Sequence, residues 1–214
     1  MKESSRQQRG CFITLEGGEG VGKTTNLGFI AKLIRENGNE VLLTREPGGT
    51  FFAENIRALL LENRGQDISP YSELLLILAA RHDHIMHVIE PALSKGTWVL
   101  CDRFLDATYA YQGGGRGIDI ETINSLEKVL NVDVMPDCTI YLDAPAELSS
   151  KRIADRDLDR IEREGQLFFT RVREVYLERA TMNPRIRLVD ASRELDLVQE
   201  EISKVFSEFL ETVE

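Results

Sequence analysis

The stretch Gly17-Gly18-Glu19-Gly20-Val21-Gly22-Lys23-Thr24 constrains this chain more than any other, because it demands a strand before it, a helix after it and an anion between them. It fits G-x-x-x-x-G-K-[ST]. The apolar run Cys11-Phe12-Ile13-Thr14-Leu15 reads as the strand, and Thr25 to Asn37, stopped by Gly38, as the helix. Glycines let the backbone curl so that several N–H groups face one phosphate chain, and the helix adds the positive end of its dipole to the same spot. Lys23 is placed to neutralise β- and γ-phosphates, and the Thr24 hydroxyl to ligate a phosphate-bound Mg²⁺. A glycine-rich turn that merely opens a helix is the plainer reading, but strand, motif and helix occur here together. Gly17, Gly18, Glu19, Gly20, Val21, Gly22, Lys23, Thr24 and Thr25 are therefore read as a nucleoside-triphosphate site.

The rest of the chain alternates in the same way. Five β-rich runs (Cys11–Glu16, Glu40–Thr44, Thr97–Cys101, Cys138–Leu142 and Ile186–Val189) are separated by helical patterns. The helices are expected at Thr25–Asn37, Ala53–Leu61, Ser69–Lys95, Ile120–Val129, Ala146–Arg156, Gln166–Met182 and Leu195–Leu210. Strands such as Val-Leu-Leu and Trp-Val-Leu lack polar alternation, as expected for a parallel sheet covered by helices on both faces. The expected fold is α/β: a doubly wound, five-stranded parallel sheet in one domain over residues 11–214, preceded by a polar tail over 1–10. With 214 residues, 42% of them hydrophobic, the chain can build the core this requires. No apolar run approaches the ~20 residues of a membrane span, and Met1 to Gly10 lacks the apolar centre of a secretory signal. A net charge of −10 argues against a nucleic-acid partner. Cys11, Cys101 and Cys138 show no metal or redox spacing and read as reduced thiols of a cytoplasmic protein.

In such sheets ligands gather at the carboxyl ends of the strands, and the polar motifs fall there. Thr44-Arg45-Glu46-Pro47-Gly48-Gly49-Thr50 follows the second strand and Asp102-Arg103-Phe104 the third. Arg45 and Arg103 read either as surface ion pairs with Glu46 and Asp102, worth little, or as two guanidiniums facing a second phosphate. Their coincidence beside a phosphate loop favours the second reading. Asp102 joins Thr24 as the candidate metal pair. Arg81, the first charge after a long apolar run, marks either a helix surfacing or a donor to a base carbonyl. Thr108, Tyr111 and Gln112 stand in a glycine-rich string, Thr108 to Gly117, suited to reading a base and sugar with backbone closing over them.

Lys151 to Glu162 interleaves four basic residues with acids, and Arg152, Arg156 and Arg160 share one face if the segment is helical. A solvated face is the usual meaning of such a run; an arginine-rich lid over a transferring phosphoryl group is the other. His82, His84 and His87 lack the spacing of a metal site and are expected at the solvent or an interface.

Together these strings resemble bacterial thymidylate kinases, P-loop NTPase-fold enzymes that transfer phosphate from ATP to dTMP. The resemblance runs from Phe12 to Leu210 and is carried chiefly by Arg-Glu-Pro-Gly-Gly and Tyr-Gln-Gly-Gly-Gly-Arg-Gly. It implies ATP and Mg²⁺ as cofactors, dTMP as the small-molecule substrate and a homodimer. Arg45 and Arg103 would hold the dTMP phosphate, while Arg81, Thr108 and Gln112 would face the thymine edge. Tyr111 would lie under the deoxyribose, Glu19 near its 3′-hydroxyl, and Asp190-Ala191-Ser192 beside the adenine. Lys23, Arg103, Arg152 and Arg156 would be catalytic, the lid arginines replacing one that other members carry where this chain has Gly20. Ile77 stands where many members stack a Phe on thymine. A non-enzymatic nucleotide switch would need neither the paired arginines nor the lid, and no guanine-reading Asn-Lys-x-Asp string is present.

Overall fold

Five apolar runs become five parallel strands of one sheet in a computed structural model, which describes residues 9–62, 67–130, 134–153 and 158–213. The strands are β1 (Phe12–Gly17), β2 (Val41–Arg45), β3 (Trp98–Asp102), β4 (Cys138–Asp143) and β5 (Ile186–Asp190), in the order β2-β3-β1-β4-β5. All neighbours run parallel. Each strand lies within one residue of its expected bounds at either end.

Burial on both faces explains why the strands read as apolar runs rather than alternating ones. Ile13 and Leu15 of β1 pack with Leu100, Ile140 and Leu142 under α1 (Lys23–Glu36) and α9 (Leu195–Val213), where Ile30, Ile34, Ile202 and Phe206 meet them. Phe12, Val99 and Cys101 face the other way. They pack against α3 (Pro70–His84), a π-helical turn (Ile85–Ile89) and α4 (Glu90–Ser94), together the continuous helix expected over Ser69–Lys95. Helix α2 (Phe51–Leu61), capped by the Thr50 hydroxyl, lies beside α3 and buries Ala53, Ile56 and Leu60. The amphipathic α6 (Ile120–Leu130) buries Ile123. Cys101 and Cys138 are buried, Cys11 is half-buried, and all three are free.

The helix expected over Ala146–Arg156 is described as α7 (Ala146–Ile153), and Arg156 lies outside the described residues. The glycine-rich string is helical, as α5 (Leu105–Thr108) followed by a π-helical segment, Tyr109–Gly115. Gly114 and Gly115 admit α8 (Gln166–Met182). A Cβ on Gly114 would lie 2.7 Å from the Arg171 carbonyl oxygen, and one on Gly115 would lie 2.4 Å from the Phe168 ring. The polar tail falls mostly outside the described residues. Arg9 and Gly10 are docked, through a bidentate Arg9–Glu90 pair and a hydrogen bond from the Gly10 N–H to the Leu93 carbonyl.

Packing and propensity predict opposite signs for two Gly→Ala substitutions. Gly28, in α1 with nothing near its Cβ position, should gain ~0.5–1 kcal/mol as Ala. Gly114→Ala forces α8 from the π-helical segment and should lose ~1–3 kcal/mol. Urea denaturation midpoints of the two variants check both signs.

Candidate active site

The loop between β1 and α1 turns at Gly22, whose φ of 90° a residue with a side chain adopts only under strain. Lys23 opens the helix and folds back over the loop, its Nζ donating to the carbonyls of Gly18 at 2.6 Å and Gly17 at 3.2 Å. Burial lowers its pKa and the positive charge of Arg103 lowers it further. Two crowded cations of this kind are relieved by an anion.

β3 ends at Asp102, and Arg103 then takes a φ of 66°, in the left-handed region that side chains avoid. Two bonds to β1 hold it there: the Arg103 N–H to the Leu15 carbonyl at 3.0 Å, and the Phe104 N–H to the Glu16 carboxylate at 2.7 Å. Glu16 also receives the Tyr176 hydroxyl; burial and the nearby charge of Asp106 push its pKa up to about 7. Strain of this sort clusters at functional sites. Here it carries the Arg103 guanidinium across to β1, where it donates to the Gly17 carbonyl at 2.8 Å and pairs with Glu19. The guanidinium lies 4.8 Å over the Tyr111 ring, and the Tyr111 hydroxyl donates to Glu19 at 3.0 Å.

Arg81, on α3, is buried. Its Nε donates to Glu46 at 2.7 Å, and Nη2 to the Phe104 carbonyl at 3.0 Å and the Thr108 hydroxyl at 2.8 Å. A longer contact runs from Nη1 to Glu127 at 3.4 Å. Four of a guanidinium's five N–H groups are thus engaged, leaving one on Nη1. His84 continues the network, contacting Glu46 at 3.1 Å and the Thr44 hydroxyl at 2.7 Å. His84 is therefore fully buried, contrary to the expectation of a solvent or interface histidine, while His82 and His87 are exposed. The stabilising carboxylate of Glu46 replaces water for both groups.

These elements enclose a cavity of about 460 Å³ lined by Glu19, Gly20, Gly22, Lys23, Thr24, Ile77, Arg81, Asp102, Arg103, Thr108, Tyr111, Gln112 and Arg152. Gly17 at the end of β1, Gly18 and Val21 in the loop and Thr25 in α1 do not line it. Arg45 also stays outside: though its backbone pairs with Asp102 in register, its side chain is exposed and forks onto Glu54 at 2.8 and 3.0 Å. Arg57 lines the cavity instead, half-buried, with Nη1 on the Pro47 carbonyl at 3.0 Å. Burial lowers its pKa, and the charge of Arg45 adds to that. The sequence signal for Arg57 was its spacing, four after Ala53 and three before Leu60, on the stripe α2 buries.

The lid divides. Arg152 reaches from α7 to the Ala191 carbonyl at 3.1 Å and the Gly20 carbonyl at 3.5 Å, bridging the phosphate loop and the Asp190-Ala191-Ser192 turn. Arg160 is not on that helix. It lines the cavity while donating to the Leu60 carbonyl at 2.6 Å and to Glu73 at 2.5 Å.

A family model described as thymidylate kinase matches residues 15–202. The chain belongs to the thymidylate kinase family. Its relatives in the family include the thymidylate kinase of Pseudomonas syringae pv. tomato, 53% identical over 94% of this chain and 97% of that one. Another, from Alcanivorax borkumensis, is 50% identical over 93% and 97% of the two chains. The crystal structure of thymidylate kinase from Ehrlichia chaffeensis superposes with a TM-score of 0.74 at 36% identity, covering 93% of this chain and 99% of that one.

Arg57 lines the cavity with one backbone carbonyl on its Nη1, near Arg45 and Arg103 and also near Glu54 and Asp102, and a guanidinium so placed suits a phosphate. Arg57→Ala should weaken a pyrimidine nucleoside monophosphate ~10- to 100-fold and leave a nucleoside triphosphate within a few-fold. Calorimetry showing equal losses would place Arg57 on the triphosphate side.

Proposed function

We propose that this chain transfers the γ-phosphoryl group of ATP to dTMP, giving ADP and dTDP on the route to dTTP. The observation that carries this reading is one cavity with two chemically different ends. Lys23 and Thr24 of the phosphate loop line one end, and Arg81, Thr108 and Gln112, suited to the edge of a pyrimidine, line the other. Arg103 and Arg57 stand between them, where an acceptor phosphate would lie.

The attacking atom is a phosphate oxygen already ionised at neutral pH, so no general base is required. The work left to the protein is alignment and charge neutralisation. Lys23 meets the donor phosphates and Arg103 the acceptor phosphate. Arg152, held over Gly20, is positioned to supply the cation the phosphate loop lacks, and Arg156 is assigned the same role by family position. Tyr111 and Glu19 flank the deoxyribose, and the Asp190–Ser192 turn the adenine. A magnesium ion fits the residues present: Asp102 Oδ1 is buried and has no hydrogen-bond partner among the described residues, and Thr24 lines the same cavity. Such oxygens suit a hard divalent cation, which would neutralise phosphate charge. The free cysteines fit a cytoplasmic location, and no helix among the described residues is long and apolar enough to cross a membrane.

ADP release measured against a panel of nucleoside monophosphates tests the reading. dTMP should be the preferred acceptor over dCMP, dAMP and dGMP; a purine preference would refute it. In the same assay Arg152→Ala should lower kcat by ~10³-fold with little change in either KM, since an arginine of this kind acts in the transition state.

The homodimer rests on exposed apolar side chains clustered on α2 and α3: Phe52, Leu59, Tyr71 and Leu75, each between 39% and 55% accessible. Leu74 and Leu78 point into the core instead. Sedimentation should give twice the 24.2 kDa chain mass, and Leu75→Asp should give the single chain. A monomeric parent protein would remove the proposal.

A further inference from the structure

Glu73 is a carboxylate with almost no access to water, its side chain 1% exposed. It sits on α3, two turns before Arg81, and no part of the transfer chemistry calls for it. Three side chains converge on it. Arg116 donates from Nε at 3.0 Å and Nη2 at 3.2 Å, Arg160 from Nη2 at 2.5 Å, and Gln112 from Nε2 at 2.9 Å. Burial alone would raise its pKa; the hydrogen bonds from Arg116, Arg160 and Gln112 outweigh that and hold it below the usual carboxylate range. Glu73 is therefore ionised, and an ionised carboxylate only accepts hydrogen bonds.

That restriction decides the orientation of Gln112. An amide's oxygen and nitrogen are told apart by their partners, and this partner can take only the NH₂. The oxygen is left over: Gln112 Oε1 is buried and accepts no hydrogen bond from any described residue. A buried carbonyl without a donor is costly unless a ligand supplies one, and Gln112 lines the cavity at the end that carries Arg81 and Thr108.

We propose that Glu73 is a positioning residue for base specificity. By claiming the Gln112 NH₂ it leaves Oε1 as an obligatory acceptor, so the site selects a pyrimidine with a ring N–H over one of the same shape with a bare ring nitrogen. Thymine and uracil carry a proton on N3; cytosine does not. Arg81 complements this from its remaining Nη1 proton, which suits a base carbonyl and not an exocyclic amine. Arg160 ties the same carboxylate to the lid segment that docks on the Leu60 carbonyl, so the residues that keep Glu73 charged come from the lid and from the segment after Gly115. The proposal rests on the reading that the cavity takes a pyrimidine monophosphate.

The test compares dTMP with 5-methyl-dCMP, which matches it in shape and inverts its hydrogen-bonding edge. The intact protein should show a large kcat/KM ratio in favour of dTMP. In Glu73→Gln the neighbouring amide can present either face, so Gln112 is free to turn over. The ratio should then fall ~10- to 100-fold, with the KM for ATP within a few-fold. Glu73→Asp, which keeps an acceptor-only group, should recover most of the ratio even if its rate is reduced. If Glu73→Gln does not fold, Glu73→Gln/Arg160→Gln removes one charge of each sign, leaves Arg116 paired with Glu164, and carries the same measurement. A ratio unchanged within threefold in the folded variant would overturn the proposal and leave Glu73 a merely structural ion-pair hub. Failure of the intact protein to phosphorylate dTMP at all would remove the functional reading and this inference together, and is distinguished by the parent protein alone.

Discussion

The ion pair between Arg103 and Glu19 joins the two halves of the cavity. One partner belongs to the phosphate loop after β1, the other to the strained residue after β3, and the Tyr111 hydroxyl closes the group from the third side. Breaking a pair this poorly hydrated by removing one partner leaves a charge without compensation. The left-handed backbone at Arg103 persists because Leu15 and Glu16 hold the N–H groups on either side of its Cα. The central strand β1 thus positions the phosphate loop directly and Arg103 indirectly.

Around that pair several cations hydrogen-bond backbone carbonyls. Lys23 rests on backbone carbonyls, Arg57 on another, and Arg152 on two more. Carbonyl dipoles are weaker partners than phosphate oxygens, so phosphate can displace them at modest cost. The cavity is lined by both signs, Lys23, Arg57, Arg81, Arg103, Arg152 and Arg160 against Glu19, Glu46, Glu73, Asp102, Asp159 and Glu162. The net charge of −10 discourages extended polyanions. Beside Arg81 and Gln112, Glu46 and Glu73 are buried carboxylates that accept hydrogen bonds from them.

Much of this was legible in the sequence because it depends on local chemistry. The phosphate loop is a contiguous string, and the strands declare themselves by unbroken apolar runs. What was not legible depends on distant partners. The glycine-rich segment Tyr109–Gly115 is not among the helices expected from sequence, yet it is helical, with α8 packed where side chains on Gly114 and Gly115 would have been. In Arg45-Glu46 the arginine draws attention, yet Glu54 holds it outside while Glu46 goes inward to Arg81 and His84. His84 is buried for the same reason: a carboxylate and a hydroxyl, forty residues or so away in sequence, replace its water. Glu73 stands at helical spacing from Arg81 and His84 on an otherwise apolar helix, a polar stripe that periodicity could have exposed. Its partners Arg116 and Arg160 could not have been read from that stripe.

The central claim is that both nucleotides occupy one cavity, phosphate facing phosphate across the Arg103–Glu19 junction. Differential scanning calorimetry with a single molecule joining adenosine and deoxythymidine through a polyphosphate chain tests it most directly. The joined molecule should raise the Tm of the intact protein well above the value reached with ATP or dTMP alone at equal concentration, because binding to the folded state at both ends adds its stabilisation. A Tm no higher than that with ATP alone would show that the two ends do not belong to one site.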